Sequence, residues 1–182
     1  YKTGKKGLRI GFDGRILRKF YVDRMLNCCQ ELDPVFVCTK DMAGELWDER
    51  PTLSKEEIFV LPEEYRARSI DEKERLVREK MDEEHADFLF VSKLDDIMWF
   101  LGVRGNDVEC NPVALSYLFL AKDKKYFFVQ KDALSPKAAE YLAINNVCIK
   151  EYSEIFSFLE KETEGLSGIA DAEETSYLAA SI

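Results

Sequence analysis

The chain has 182 residues, 46% hydrophobic, 34% charged and 12% aromatic, with a formal net charge of −9. That is room for one domain, or one domain and part of another, with enough apolar side chain for a packed core and too many rings for a disordered polymer. The acidity argues against a nucleic-acid surface, which needs clustered Lys and Arg, and no apolar run reaches the roughly 18–20 residues of a membrane-spanning helix.

In chain order, the opening stretch Tyr1 to Gly7 has no apolar segment behind it and is not a signal peptide. A first residue other than Met suggests a piece cut from something larger. Leu8 to Phe12 is a short apolar run ending at Asp13-Gly14, a strand followed by a turn. From Ile16 to Leu32, Leu17, Phe20, Tyr21, Met25, Cys28, Cys29 and Leu32 recur at helical spacing, and Asp33-Pro34 stops the helix. Val35 to Cys38 reads as a second strand and Met42 to Trp47 as a short helix. Residues 1–50 thus form a β-α-β-α unit. Pro51, Pro62 and dense charge mark 51–68 as a linker with one extended piece, Ile58 to Leu61.

A second unit spans 69–182. Ser69 and Glu72 fit a capping box. Leu76, Val77 and Met81 give the helix after it a buried stripe, and Glu74 and Arg78 an i,i+4 pair. Phe88 to Val91 is a strand, and Ser92 caps a helix holding Asp95, Asp96 and Ile97 to Leu101. A loop from Gly102 to Pro112 leads into a strand from Val113 to Leu120, which turns at Lys122-Asp123-Lys124 into a hairpin with Tyr126 to Val129. Ser135-Pro136 starts a helix that stops at Asn145-Asn146. Val147 to Ile149 is a strand, Ser153 starts another helix, and a last strand lies near Ile169. The pattern is an α/β fold with a mixed sheet.

Most catalytic constellations are missing. His85, the only His, ends an acidic helix without a positioned partner and reads as structural or simply exposed. The five cysteines (Cys28, Cys29, Cys38, Cys110 and Cys148) make no C-x-x-C pair and are odd in number, so they read as reduced cytosolic thiols, several of them in the core. Gly11-Phe12-Asp13-Gly14 lacks the further glycines and the Gly-Lys-Ser/Thr ending of a phosphate loop and reads as a turn. Asp95 and Asp96 are paired carboxylates, but in the first turn of a helix they favour its dipole. Gly102-Val103-Arg104-Gly105 has no basic cluster beside it that would suit RNA.

The loop from Arg104 to Pro112 is the informative place. It carries Arg104, Asn106, Asp107, Glu109 and Asn111 between a buried helix and a buried strand. Arg104 could hold a carboxylate bidentately in a substrate or partner. It could equally pair with Asp107 and shape the loop.

Ser92-Lys93-Leu94-Asp95-Asp96-Ile97-Met98-Trp99-Phe100-Leu101, then Arg104-Gly105-Asn106-Asp107-Val108, Asn111-Pro112-Val113 and Ser116-Tyr117, resembles the second N-terminal domain of three-domain Xaa-Pro aminopeptidases. Ile10-Gly11-Phe12-Asp13 and Trp47-Asp48-Glu49-Arg50-Pro51 resemble the strand and the junction of the family's first domain. The sequence departs from the family where Gly14 follows Asp13 in place of Pro, and where Gly102-Val103 stands for Asn-Leu.

The resemblance implies a creatinase/prolidase N-terminal-like (RNase H-like) mixed sheet flanked by helices. Residues 1–50 would be the trailing part of the first such domain and 69–182 the second. It also implies that the chemistry lies elsewhere: the family's two metal ions, usually Mn²⁺, are held by two Asp, one His and two Glu in a C-terminal domain that this sequence does not reach, so no ligand is carried over onto this chain. The parent would be a cytoplasmic homodimer acting on short peptides with proline second, and this region would serve dimerisation and substrate access. Arg104, Asp107 and Asn111 are then the candidate substrate- or interface-facing residues. The alternatives are a stand-alone dimerisation module and an RNase H-like nuclease, which would need Asp13, Asp95 and Asp96 to converge on metals.

Overall fold

Strict alternation of side chains organises the larger part of the molecule. The computed structural model describes residues 6–182, so the first five residues of the opening stretch, expected not to be a signal peptide, lie outside the described residues. The chain divides into two units, one running through Thr52 and again from Asp171 to Ile182, the other from Leu53 to Ala170.

The larger unit is built on a five-stranded mixed sheet. Its strands are β4 (Phe88–Val91), β6 (Ser116–Ala121), β7 (Lys125–Val129), β8 (Val147–Glu151) and β9 (Gly168–Ala170), in the order β8-β7-β6-β4-β9. The β4–β6 and β6–β7 pairs are antiparallel, and the outer pairs, β7–β8 and β4–β9, are parallel. Successive side chains point to opposite faces. Leu118, Leu120, Phe127, Val129 and Val147 therefore turn one way, into a core with Ile70, Ile97, Met98, Leu101 and Leu142 from three helices: α3 (Ile70–Glu83), α4 (Leu94–Leu101) and α5 (Pro136–Ile144). Phe88, Phe90, Tyr117, Phe119, Tyr126 and Phe128 face the other way, where α6 (Ile155–Glu162) lies. Its Phe158 ring sits 5.2, 4.8 and 5.0 Å from the rings of Phe119, Tyr126 and Phe128. Each such aromatic pair contributes about 1 kcal/mol beyond the area it buries.

The helix ends are set chemically. The Ser69 hydroxyl accepts from the Glu72 N–H while the Glu72 carboxylate accepts from the Ser69 N–H. Ser135 caps α5 through the Ala138 N–H, with Pro136 next. Asn146 takes the left-handed conformation after α5 (φ 55°). Three local expectations are corrected. Leu76 is exposed and the buried stripe of α3 is Ile70, Lys73 and Met81. Lys93, not Ser92, is the N-cap residue of α4. A 3-10 turn, Tyr152–Glu154, with a capping box between Glu151 and Glu154, precedes α6, so Ser153 does not start that helix.

The boundaries also differ from those expected. Residues 53–68 are part of the larger unit rather than a linker. Ile58 is wholly buried, its N–H donates to the Ala133 carbonyl at 2.7 Å, and its carbonyl accepts from the Ser135 N–H. Phe59–Val60 (β3) pairs antiparallel with Val103–Arg104 (β5). At the other end, residues from Asp171 onward leave this unit.

The smaller unit is a two-stranded parallel sheet of β1 (Arg9–Gly11) and β2 (Val35–Val37), with α1 (Lys19–Cys29) and α2 (Met42–Leu46). The helix expected from Ile16 begins later, because a turn held by Asp13 occupies the intervening residues: its carboxylate accepts from the Arg15 N–H. The C-terminal segment closes this unit. The Lys19 N–H donates to the Thr175 carbonyl, the Tyr177 N–H to the Leu17 carbonyl, and the Leu178 N–H to the Gly14 carbonyl. Tyr177 stacks edge-on against Phe12 at 5.4 Å. All five cysteines are free, but Cys28, Cys110 and Cys148 are exposed and Cys29 and Cys38 only partly covered, so the expectation of core thiols fails.

The contrast in burial between the two units can be measured. Two-stranded parallel sheets protect their backbone poorly, and α1 has one fully buried residue, Val22. Amide exchange at Arg9–Gly11 and Val35–Val37 is expected to be at least about tenfold faster than at β6 and β7; equal protection would contradict this. A second expectation concerns Glu74, whose carboxylate pairs with Arg78 at 2.6 Å and with Lys125, itself nearly buried. Burial alone would raise the Glu74 carboxyl, but those two cations outweigh it and hold it below the usual range. A lowered folded pKa stabilises above the unfolded value and is lost as pH falls through the folded one. Denaturant midpoints measured against pH should therefore drop through the acid range, and Glu74→Gln should cost about 2 kcal/mol at neutral pH and flatten that drop.

Candidate functional site

The loop singled out in the sequence hangs from the carbonyl end of α4. Ile97, Met98, Phe100 and Leu101 are buried, so the last carbonyls of this helix cannot all reach water. Gly102 turns the chain out in the left-handed conformation (φ 66°), where its N–H donates to the Met98 carbonyl at 3.0 Å. Arg104 Nη1 donates to the carbonyls of Met98 (2.9 Å) and Val103 (2.8 Å). Lys73 Nζ, on α3, donates to the Trp99 carbonyl at 2.6 Å and lies 4.8 Å from the centre of the Trp99 ring. Two cations thus meet the negative end of the helix dipole. The Lys73 amine is pushed below its ordinary value by burial, with the Arg66 and Arg104 charges adding to the effect.

Beyond Arg104 the chain folds back on itself. Gly105 lies so close to the returning strand that a Cβ would stand 2.7 Å from the Ala114 Cβ, which only glycine allows. The Asp107 N–H donates to the Val113 carbonyl at 3.0 Å, and Asp107 Oδ2 accepts from the Leu115 N–H at 2.7 Å. Asp107 Oδ1 is buried with no hydrogen-bond partner. The internal Arg104–Asp107 pair weighed from the sequence does not form: Arg104 faces back to the helix and Asp107 forward to the next strand. Asn111 is exposed at the tip, in a turn closed by its N–H on the Val108 carbonyl at 3.1 Å. Of the three candidates, Asn111 is exposed, whereas Arg104 and Asp107 brace the loop. Sequence reasoning missed Lys73. The signal was present: Ile70, Val77 and Met81 define a helix face on which position 73 also falls.

The remaining carboxylate candidates have cationic partners. Asp95 and Asp96 are each 59% exposed and lie 3.4 and 3.7 Å from Lys93. His85 is exposed, in the left-handed conformation just after α3. In the smaller unit Asp13 pairs with Arg15 at 2.7 Å, Arg15 reaches Asp41 at 3.2 Å, and Asp41 pairs with Arg50 while capping α2 through the Gly44 N–H. The Arg15 hydrogen bond holds the Asp13 carboxyl below its usual range; the Gly44 N–H, then Arg50, do the same for Asp41. Among the described residues no three His, Cys, Asp or Glu side chains gather as a metal ligand set would, so the residues present do not fit a metal centre.

Comparison with known proteins gives this geometry a context. The sequence model of the creatinase/prolidase N-terminal domain matches residues 49–182. The Xaa-Pro aminopeptidase app-1 of Caenorhabditis elegans is 34% identical over 128 residues, 70% of this chain and 21% of that protein. Xaa-Pro aminopeptidase 1 of Dictyostelium discoideum is 32% identical over 165 residues, 83% of this chain and 25% of that protein. The crystal structure of the X-prolyl aminopeptidase of C. elegans, a cytosolic enzyme with a di-nuclear active site, superposes with a TM-score of 0.83 at 29% identity, over 96% of this chain and 30% of that one. The chain thus spans between a fifth and a third of the length of these relatives. With the mixed sheet, the capped α4 and the loop after it all lying inside the matched residues, this chain belongs to the creatinase/prolidase N-terminal domain family.

Proposed function

We propose that this chain is the non-catalytic N-terminal region of a Xaa-Pro aminopeptidase. The full-length enzyme would remove the residue that precedes proline at the N-terminus of short peptides, by hydrolysis at two divalent metal ions, Mn²⁺ by expectation, held in a separate catalytic domain. Supporting this is the extent of the likeness: nearly the whole chain superposes on under a third of an enzyme of that activity. The region would contribute to a cytoplasmic homodimer and border the path by which peptides enter. The loop from Arg104 to Pro112 is the contact element in this reading. Arg104 and Asp107 hold its base, and Asn111 offers an exposed amide at its tip.

The purified 182-residue protein should release no amino acid from an Xaa-Pro peptide in the presence of Mn²⁺, while the full-length enzyme does so; metal-dependent turnover by the short protein alone would overturn the reading. The two kinds of loop residue should also separate experimentally. Asp107→Ala removes the acceptor for the Leu115 N–H and should cost the short protein about 1–3 kcal/mol by denaturant titration. Asn111→Ala should change its stability by less than about 0.5 kcal/mol yet alter KM or the dimer constant of the full-length enzyme. An Asn111→Ala enzyme unchanged in both would remove the loop from the contact surface.

A further inference from the structure

The larger unit has a cavity of about 390 Å³ away from the Asn111 tip, between residues 60–66 and α5. Val60, Leu61 and Pro62 give it an apolar wall, Tyr141 and Lys137 of α5 stand opposite, and Glu63, Glu64 and Arg66 complete the lining. Arg66 is its unusual member. One of its amino groups donates to the Tyr141 hydroxyl at 2.7 Å, and the guanidinium carbon lies 5.2 Å from the centre of the Tyr141 ring. Its Nε is buried with no hydrogen-bond partner. Glu63 and Glu64 lie three and two residues before it, yet among the described residues no carboxylate pairs with Arg66, and Lys137 has none either. Beneath this group Gly102 leaves room for it, since a Cβ there would stand 3.0 Å from both Arg66 Cδ and the Tyr141 hydroxyl. Lys73, on α3, is near enough to feel the Arg66 charge.

A guanidinium with its Nε buried and unpaired, and with no acidic partner among the described residues, attracts an anion. The apolar wall and the tyrosine ring suit an apolar body attached to that anion. Glu63 and Glu64 repel a dianion more than a monoanion, which favours a carboxylate over a phosphate. We propose that this cavity binds a carboxylate carried on a small apolar body, with Arg66 and Lys137 taking the charge and Val60, Leu61, Pro62 and the Tyr141 ring the body. The chemistry is shared by the C-terminal residue of a peptide and by a free apolar amino acid. The site does not depend on the peptidase reading and stands or falls on the binding of the short protein alone.

The test is an amide chemical-shift titration of the 182-residue protein with N-acetyl-leucine, leucine, N-acetyl-leucine amide and inorganic phosphate. Both carboxylates should give saturable shifts at residues 60–66 and 137–141 at millimolar concentration, and the amide none. Tighter binding of leucine identifies the free amino acid as the source, and equal or tighter binding of N-acetyl-leucine the peptide end. Arg66→Gln should weaken binding at least about tenfold. Because Arg66 also packs against Tyr141, the exposed Lys137→Gln serves as a second variant, expected to weaken binding a few-fold with the spectrum of β6 and β7 unchanged. Equal shifts with the amide, saturation by phosphate but not by the carboxylates, no saturation by either carboxylate, or undiminished binding in Lys137→Gln and Arg66→Gln would each overturn the proposal.

Discussion

Inside this protein the negative end of an apolar helix has to be neutralised without water. Helix α4 presents Ile97, Met98, Phe100 and Leu101 to the core within eight residues, so its closing carbonyls arrive in a place where an unpaired acceptor costs about 1–3 kcal/mol. Three groups answer that need, and each fixes something else. Lys73 sets which face α3 turns inward. Arg104 sets where the chain goes after the helix, and that placement lets β5 pair with β3. Gly102 supplies the turn, and its own carbonyl then takes the Leu61 N–H at 3.0 Å. The segment that would otherwise be a charged connector is thereby bound to the core.

Much of this was readable from the residues. The strands of the large sheet are runs of alternating or continuous apolar side chains, and the starts of α3 and α5 carry their capping chemistry in sequence, Ser69 with Glu72 and Ser135 with Pro136. What was not readable is tertiary. Ile58 to Leu61 looks like a lone extended piece because its partners, Ala133, Ser135 and Arg104, lie 45 or more positions away. Lys73 looks like a solvated charge because nothing local says that a carbonyl and an indole ring await it across the core. At the candidate loop the residues were located but not their directions: Arg104 could bind outward or inward, and the orphaned end of α4 decided for inward.

The family pattern itself gains a physical reading. In the stretch from Leu94 to Ser116, the apolar positions build the core, the acidic pair starts the helix, Gly105 permits a close backbone approach, and Asp107 anchors the next strand. In the smaller unit the two distant matches, around Asp13 and around Arg50, are the ends of one chain of charges through Arg15 and Asp41. These partly exposed pairs contribute modestly, but they fix the strand end and the start of α2 together.

The smaller unit draws on both ends of the sequence, and this has a consequence for how the protein is made. Its first segment leaves the ribosome early, whereas the residues that engage Gly14, Leu17 and Lys19 begin at Asp171, after the entire larger unit. At translation speeds of about 5–20 residues per second, the β1–β2 pair waits on the order of ten seconds for its closing segment. The larger unit has all its strands contiguous in sequence and can condense in that interval. The larger unit can therefore complete its contacts before the smaller one does, although it is synthesised later.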